Sequence, residues 1–204
     1  LLLSLKNTMF VGFMAAVGVM LFYSLISYIV VRTRLRGRKV LDFITWLPWG
    51  APSLVLALGF LWAYVGGLPF LSPIYGTIWL LTLVFVVRSL PLGMRVMNGA
   101  MHQLGDELEE CSWVLGGSRA YTFRRIVAPL LSPAFINTAI ILFLIAVRDL
   151  VTVIFLYTPS SRLISITLLE HWMAGEYERA TIIGLIMAII VLGVALVARR
   201  LGHV

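Results

Sequence analysis

Long apolar runs alternate with short polar connections along this chain, and five runs are long enough to be membrane-crossing helices: residues 9–31, 43–65, 74–97, 134–157 and 180–198. A hydrocarbon core about 30 Å thick takes about 20 apolar residues at 1.5 Å of rise each. The first, second and fifth runs are free of charge. The third and fourth hold Arg88 and the adjacent pair Arg148-Asp149. Pro48 and Pro52 lie one helical turn apart in the second run and predict a kink there, since each removes a backbone hydrogen bond. Kinked helices line cavities in some bundles and only pack in others; both readings stand.

Two connections are longer than a turn. The stretch at 98–133 carries Leu104, Leu108, Cys111 and Leu115 at i, i+4, i+7 and i+11, one stripe of an α-helix. Gly105 and Asp106 suit its start, and Glu107, Glu109 and Glu110 place negative charge in the first turn, where the helix dipole favours it. Gly116-Gly117 ends it, because glycine takes φ > 0 without steric cost. Ser118 then suits the cap of a second helix, with Phe123, Ile126, Val127 and Leu130 opposite Arg119, Arg124 and Arg125, before Pro129 and Pro133 break the path. The pattern predicts an elbow of two short helices, the first acidic and the second basic. A hairpin lying on lipid suits the basic arm but not the acids, which an anionic leaflet would repel. A helix seated in a groove of another protein suits both.

The second long connection, 158–179, holds an apolar patch at 163–169, read as a short helix at the interface or dipping toward the bundle. It also carries Glu170, Glu176 and Glu178, which could meet basic residues of an external partner or simply face water. His171 lies near Tyr157 and Tyr177 in the chain, but without ligand spacing, so no metal site is assigned.

Composition agrees with the pattern. Hydrophobic residues are 61% of 204 and charged residues 12%, so a bilayer is the expected solvent. The net charge of +7 is topological. Arg32, Arg34, Arg36, Arg38, Lys39, Arg95, Arg119, Arg124, Arg125, Arg199 and Arg200 fall on one side, and Lys6, Arg162 and Arg179 on the other. The excess marks the cytoplasmic face, which puts the N-terminus outside and the C-terminus inside. The 32–39 cluster abuts a span directly, so nucleic acid is not the expected partner. Cys111, the single cysteine, can form no intrachain disulfide. The chain opens on Leu1, not Met, leaving room for a natural start upstream, and the 9–31 run is too long for a signal-peptide core.

Charges within the spans are expensive and normally face protein or water. Counting 1.5 Å per residue puts Arg88 about 20 Å and Asp149 about 12 Å from the same outer edge, too far apart for a direct pair. Asp149 then reads in two ways: a hard oxygen near the external mouth of a path, suited to a cation such as Fe(III), or an interhelix bond holding the bundle. Arg148 beside it would welcome an anion, so the pair does not fix the sign of a substrate. Arg88, Arg148 and Asp149 are the candidates for lining a path.

The loop resembles the EAA loop of binding-protein-dependent ABC importer permeases: Glu-Ala-Ala, three residues, Gly, nine residues, Ile, two residues, Pro. This chain supplies Glu110, Gly116, Ile126 and Pro129 at that spacing, with the small residues Cys111 and Ser112 where alanines are usual. Five spans with the loop between the third and fourth resemble the type I importer permease core, an all-α membrane fold, over the whole chain. The stretch Arg88-Ser89-Leu90-Pro91-Leu92-Gly93-Met94-Arg95 and the acid late in the fourth span resemble the ferric iron branch, many of whose members are twice this length with two such loops.

The resemblance implies that 106–117, with Asp106, Glu107, Glu110, Cys111, Ser112, Gly116 and Gly117, is a coupling helix docked on a cytoplasmic ABC ATPase dimer. It implies further partners: a periplasmic or extracellular solute-binding protein, and a second permease half or a copy of this chain, in a bacterial or archaeal plasma membrane. The expected cargo is ferric iron; a polyamine, phosphonate, sulfate or other anion is the alternative. No Gly-x-x-x-x-Gly-Lys-Ser/Thr occurs, so ATP and Mg belong to the partner, and no cofactor is expected on this chain. No span carries a His-Glu-x-x-His, an Asp pair or a Ser–His set, which argues against an intramembrane enzyme. A non-ABC channel or scaffold would leave the charged elbow without a role.

Overall fold

The computed structural model describes residues 1–18, 22–67 and 73–200. Its described elements are helices, in the order α1 (Leu2–Gly18), α2 (Ser24–Arg32), α3 (Arg38–Gly50), α4 (Ser53–Val65), α5 (Ile78–Gln103), α6 (Glu107–Val114), α7 (Arg119–Thr122), a π-helical turn (Phe123–Val127), α8 (Ala128–Leu130), α9 (Ser132–Arg148), α10 (Ile164–Met173) and α11 (Tyr177–Arg200). The first expected span falls on α1 and α2, with 19–21 outside the described residues. Among those described, α5 and α11 are each long and apolar enough to cross a bilayer.

The second expected span, 43–65, is not one kinked helix. α3 and α4 meet at 108°. Pro48 is accommodated inside α3, and the break falls at Ala51, extended at φ −105° and ψ 127°. Ala51 precedes Pro52, whose ring disfavours the helical conformation in the residue before it. The fourth span, 134–157, is also shorter than expected as a helix. α9 stops at Arg148 and Asp149 turns extended (φ −73°, ψ 121°). The Asp149 carboxylate accepts hydrogen bonds from the Thr152 amide (2.9 Å) and hydroxyl (3.0 Å), a local alternative to the helical ladder. Conversely, α5 runs on through Gln103, so the elbow begins at Leu104 and not at 98.

α5 is the spine of the bundle. Toward its start, Leu80, Leu81, Val84 and Phe85 pack with Val11 and Ala15 of α1 and with Leu156, Leu163 and Ile166. Toward its end, Met94, Met97 and Met101 pack with Tyr23, Tyr28, Val127, Leu131, Phe135 and Leu142. α1 approaches α9 closely at Gly12, where a Cβ would lie 2.6 Å from the Phe143 ring. α11 buries only Ala180, Ile183 and Ala198, leaving most of its apolar surface for lipid or another subunit.

A polar stripe on α1 fixes the second long connection. Asn7 donates to the carbonyls of Ser160 (2.9 Å) and Arg162 (3.0 Å), the Ile164 amide donates to Thr8 (2.9 Å), and Thr167 donates to Ser4 (2.7 Å). α10 thereby dips into the bundle with Ile164, Ser165, Ile166 and Thr167 buried. Asn7→Ala removes two of these bonds, and each carbonyl left unpaired costs about 1–3 kcal/mol. Limited proteolysis of membrane-embedded protein will cleave 158–163 faster in that variant, with sites elsewhere unchanged.

Candidate functional site: the elbow and the buried ion pairs

The elbow forms because each of its corners has the residue its backbone requires. Asp106 sits at the N-cap position and its carbonyl accepts from the amides of Glu109 and Glu110, both at 3.0 Å. Glu107, Glu109 and Glu110 occupy the first turn of α6. The helix closes as the Gly117 amide donates to the Ser112 carbonyl at 2.8 Å, with Gly116 at φ +86°, a conformation that penalises any residue with a Cβ. Ser118 caps the second arm by accepting from the Tyr121 amide at 3.2 Å. The Ser112 and Thr122 hydroxyls bond at 2.8 Å and the Arg119 guanidinium lies 6.0 Å from the Trp113 ring centroid, so the arms are joined. Pro129 lies in the first turn of α8, and the second arm meets α9 at 64°.

Leu104 packs against the core, but the rest of the expected stripe points away from the bundle. Leu108 and Cys111 are exposed, and Val114 and Leu115 are 87% and 88% exposed. The buried face of α6 is instead Glu109 and Ser112. Leu108, Cys111, Ser112, Leu115, Gly116, Gly117, Tyr121 and Ile126 line an open cleft of about 710 Å³ between the arms. Asp106 is largely exposed but pairs with Arg32, while Glu107 and Glu110 are solvent-facing and in no ion pair among the described residues. A polar inner face and an apolar outer face are the reverse of a helix that packs on its own bundle, and suit one that packs on something else.

The sequence pattern missed Glu109, which is only 4% exposed. Its carboxylate lies 3.0 Å from Arg32 Nε and accepts from the Tyr28 hydroxyl at 3.2 Å. Arg32 also donates to the carbonyls of Met101 (2.9 Å) and Leu104 (2.5 Å), satisfying acceptors that the end of α5 leaves open. The signal was present: Tyr28 and Arg32 are one turn apart at the end of a helix, and Glu109 lies off the exposed stripe.

The expectation that Arg88 and Asp149 cannot pair is corrected. They form a direct ion pair, with the Asp149 side chain 4% exposed. The estimate carried Asp149 along a continuous helix, and that helix ends one residue before it. Ser165 also donates to the Asp149 backbone carbonyl at 2.8 Å, tying α10 to the same corner. Arg148 is exposed and in no ion pair among the described residues. In the second long connection, Glu170 pairs with Arg162 at 3.0 Å. Glu176 meets His171 at 2.7 Å and Arg179 at 3.0 Å, and the His171 hydrogen bond holds the Glu176 carboxyl below the usual carboxylate range. Two of the three acids, read as facing either a partner or water, are thus engaged within the chain. No group of three metal-ligating side chains occurs among the described residues.

Spans, spine and elbow together match a known pattern. The family described as binding-protein-dependent transport system inner membrane component matches residues 9–203. The chain belongs to that family. This permease chain is 34% identical to the ferric transport system permease protein FbpB of Actinobacillus pleuropneumoniae over 195 residues, 95% of its own length and 28% of that protein's. It is 30% identical to the sulfate transport system permease protein CysT of Salmonella typhimurium over 163 residues, 74% of its length and 57% of that protein's. The permease chain thus spans less than a third of the ferric relative. The solved bacterial alginate ABC transporter, in complex with an alginate pentasaccharide-bound periplasmic protein, contains a chain of the same fold. Its TM-score is 0.73 at 20% identity, over 98% of this chain and 78% of that one. The fold is that of the type I ABC importer permease core.

Proposed function

We propose that this chain is the membrane-spanning permease part of an ATP-driven importer, in which 106–117 is the coupling helix. The observation that carries the reading is the inverted α6, with Glu109 and Ser112 inward and Leu108, Cys111, Val114 and Leu115 outward. An apolar face on an elbow, rimmed by Glu107 and Glu110, which are in no ion pair among the described residues, suits a groove on an ABC ATPase subunit. The excess of Arg and Lys puts that elbow in the cytoplasm, with the N-terminus outside. Solute arrives from a binding protein on the outer side, nucleotide-driven closure of an ATPase dimer moves the elbow, and the bundle changes the side to which its path opens. A second permease half or a second copy completes the path against the exposed faces of α4 and α11.

Ferric iron is the first substrate to test, on the strength of the ferric relative and the acid at 149. A second reading, an anion such as sulfate, is favoured by a separate observation. Asp149 is already neutralised by Arg88 and hydrogen-bonded by Thr152, which leaves Arg148 as the exposed charge at the end of α9. Uptake of labelled ferric iron and of labelled sulfate by cells carrying Arg148→Gln separates the two. Loss of sulfate uptake supports the anion; unchanged sulfate uptake, with iron uptake lost in Asp149→Asn but kept in the comparably destabilised Arg88→Gln, supports the cation.

The permease role itself is tested by purifying the tagged full-length protein from its own membrane. An ATPase subunit is expected to accompany it, and Glu110→Gln to lower solute moved per ATP hydrolysed several-fold while the protein still inserts. Absence of any ATPase, together with uptake unaffected in Glu110→Gln, would contradict it.

A further inference from the structure

An elbow that only docked would need no charge buried beneath it, yet α6 turns Glu109 into the bundle. Resting on the coupling role proposed above, we infer that Glu109, Arg32 and Tyr28 are positioning residues that form a clamp carrying displacement of the elbow into α2.

The clamp joins four elements at one point. Arg32, the last residue of α2, has a side chain 9% exposed. Its guanidinium bonds the carbonyls of Met101 and Leu104 at the end of α5, and pairs with Asp106 at the start of α6 and with Glu109 inside it. Tyr28, one turn back on α2, donates to the other oxygen of Glu109 at 3.2 Å. Its ring meets Phe123 of the second arm edge-on, with centroids 5.0 Å apart. One carboxylate oxygen of Glu109 is thus hydrogen-bonded by α2 and the other is ion-paired with it.

Stability alone does not explain this choice. A buried ion pair adds little to stability compared with apolar residues of the same size, because desolvation of both charges offsets their attraction. What it adds is direction. A planar guanidinium hydrogen-bonded to two fixed carbonyls and ion-paired with two carboxylates resists sliding in a way that apolar contacts do not. The exposed outer face of α6 can then be displaced while its inner face carries α2 along.

The test uses the full assembly, permease with its ATPase subunit in lipid nanodiscs, and hydrogen–deuterium exchange with and without vanadate-trapped ATP. In the wild type, trapping changes exchange at the elbow (107–122) and at α2 (24–32) together. In Glu109→Gln the elbow still responds, and the α2 response falls about tenfold as the buried Arg32–Glu109 ion pair is lost. Arg32→Lys keeps the charge but not the fork. It gives the same loss and stands in where Glu109→Gln does not assemble. A clamp that served folding alone would lower thermal stability in both variants and leave the α2 response whole. That result, or a wild type in which the elbow responds and α2 does not, overturns the clamp while leaving the coupling role intact. A wild-type elbow unmoved by nucleotide overturns both.

Discussion

On the proposed coupling role, replacing Gly117 with valine should separate the chain from an ATPase subunit without removing it from the membrane. A Cβ at this position would lie 2.5 Å from the Ser112 hydroxyl oxygen and 2.8 Å from the Ser112 carbonyl oxygen. The second contact is backbone, so the end of α6 must move away from the second arm. The Ser112–Thr122 bond and the Gly117-to-Ser112 closure go with it. Overpacking of this kind costs about 1–3 kcal/mol. The spans take no part in the strain, so insertion is unaffected. Expressed as docking, the same energy is about a 10- to 100-fold loss of ATPase association, read from the ratio of the two subunits after affinity purification. Gly116→Val acts through the other corner. Its φ of +86° places a β-branched residue in a left-handed conformation costing about 1–2 kcal/mol or more. Gly116→Ala should be milder than Gly116→Val. A wild-type subunit ratio in both valine variants would show that the elbow's shape is not what the ATPase grips.

The second large effect is at Arg88 and Asp149. Removing one partner of a buried pair leaves an uncompensated charge, which costs about 3–5 kcal/mol. Each of Arg88→Gln and Asp149→Asn should therefore lower the melting temperature of the detergent-solubilised protein by roughly 10 °C, at about 2–4 °C per kcal/mol for a chain of this size. The two differ in one respect. Asp149→Asn keeps an acceptor for the Thr152 amide, and the Ser165 hydroxyl bonds the backbone of 149, not its carboxylate. The double variant, with no net charge at the corner, should recover most of the loss. Additive destabilisation in the double variant would mean that the pair does not act as a unit.

The elbow was legible in the sequence because its determinants are local. The spacing of Glu110, Gly116, Ile126 and Pro129, the left-handed position at Gly116 and the Ser118 cap are set within a turn or two of chain. The stripe of Leu108, Cys111 and Leu115 was legible too, and its exposure is the new information. What escaped were features made by competition between distant parts. Pro52 breaks the second span, where two prolines read alike in sequence and only one acts, through Ala51. The fourth span stops at Arg148 because Asp149 exchanges the helical ladder for Thr152 and Arg88, and no count of apolar residues reveals that bargain. Glu109 looked like one more acid in a first turn, since its partners are 77 and 81 residues away along the chain. Ser4, Asn7 and Thr8 escaped for the same reason: they are a polar stripe whose use becomes visible only when 158–167 folds back onto it.

On the proposed coupling role, the outward face of α6 is the surface that a nucleotide-driven subunit holds. Cys111 gives direct access to it, being the single cysteine and exposed on that face. A thiol-directed photo-cross-linker attached to Cys111 in native membranes should capture an ABC ATPase subunit, in a yield that changes when ATP is trapped with vanadate. Capture of lipid alone, with the same yield in every nucleotide state, would contradict the account.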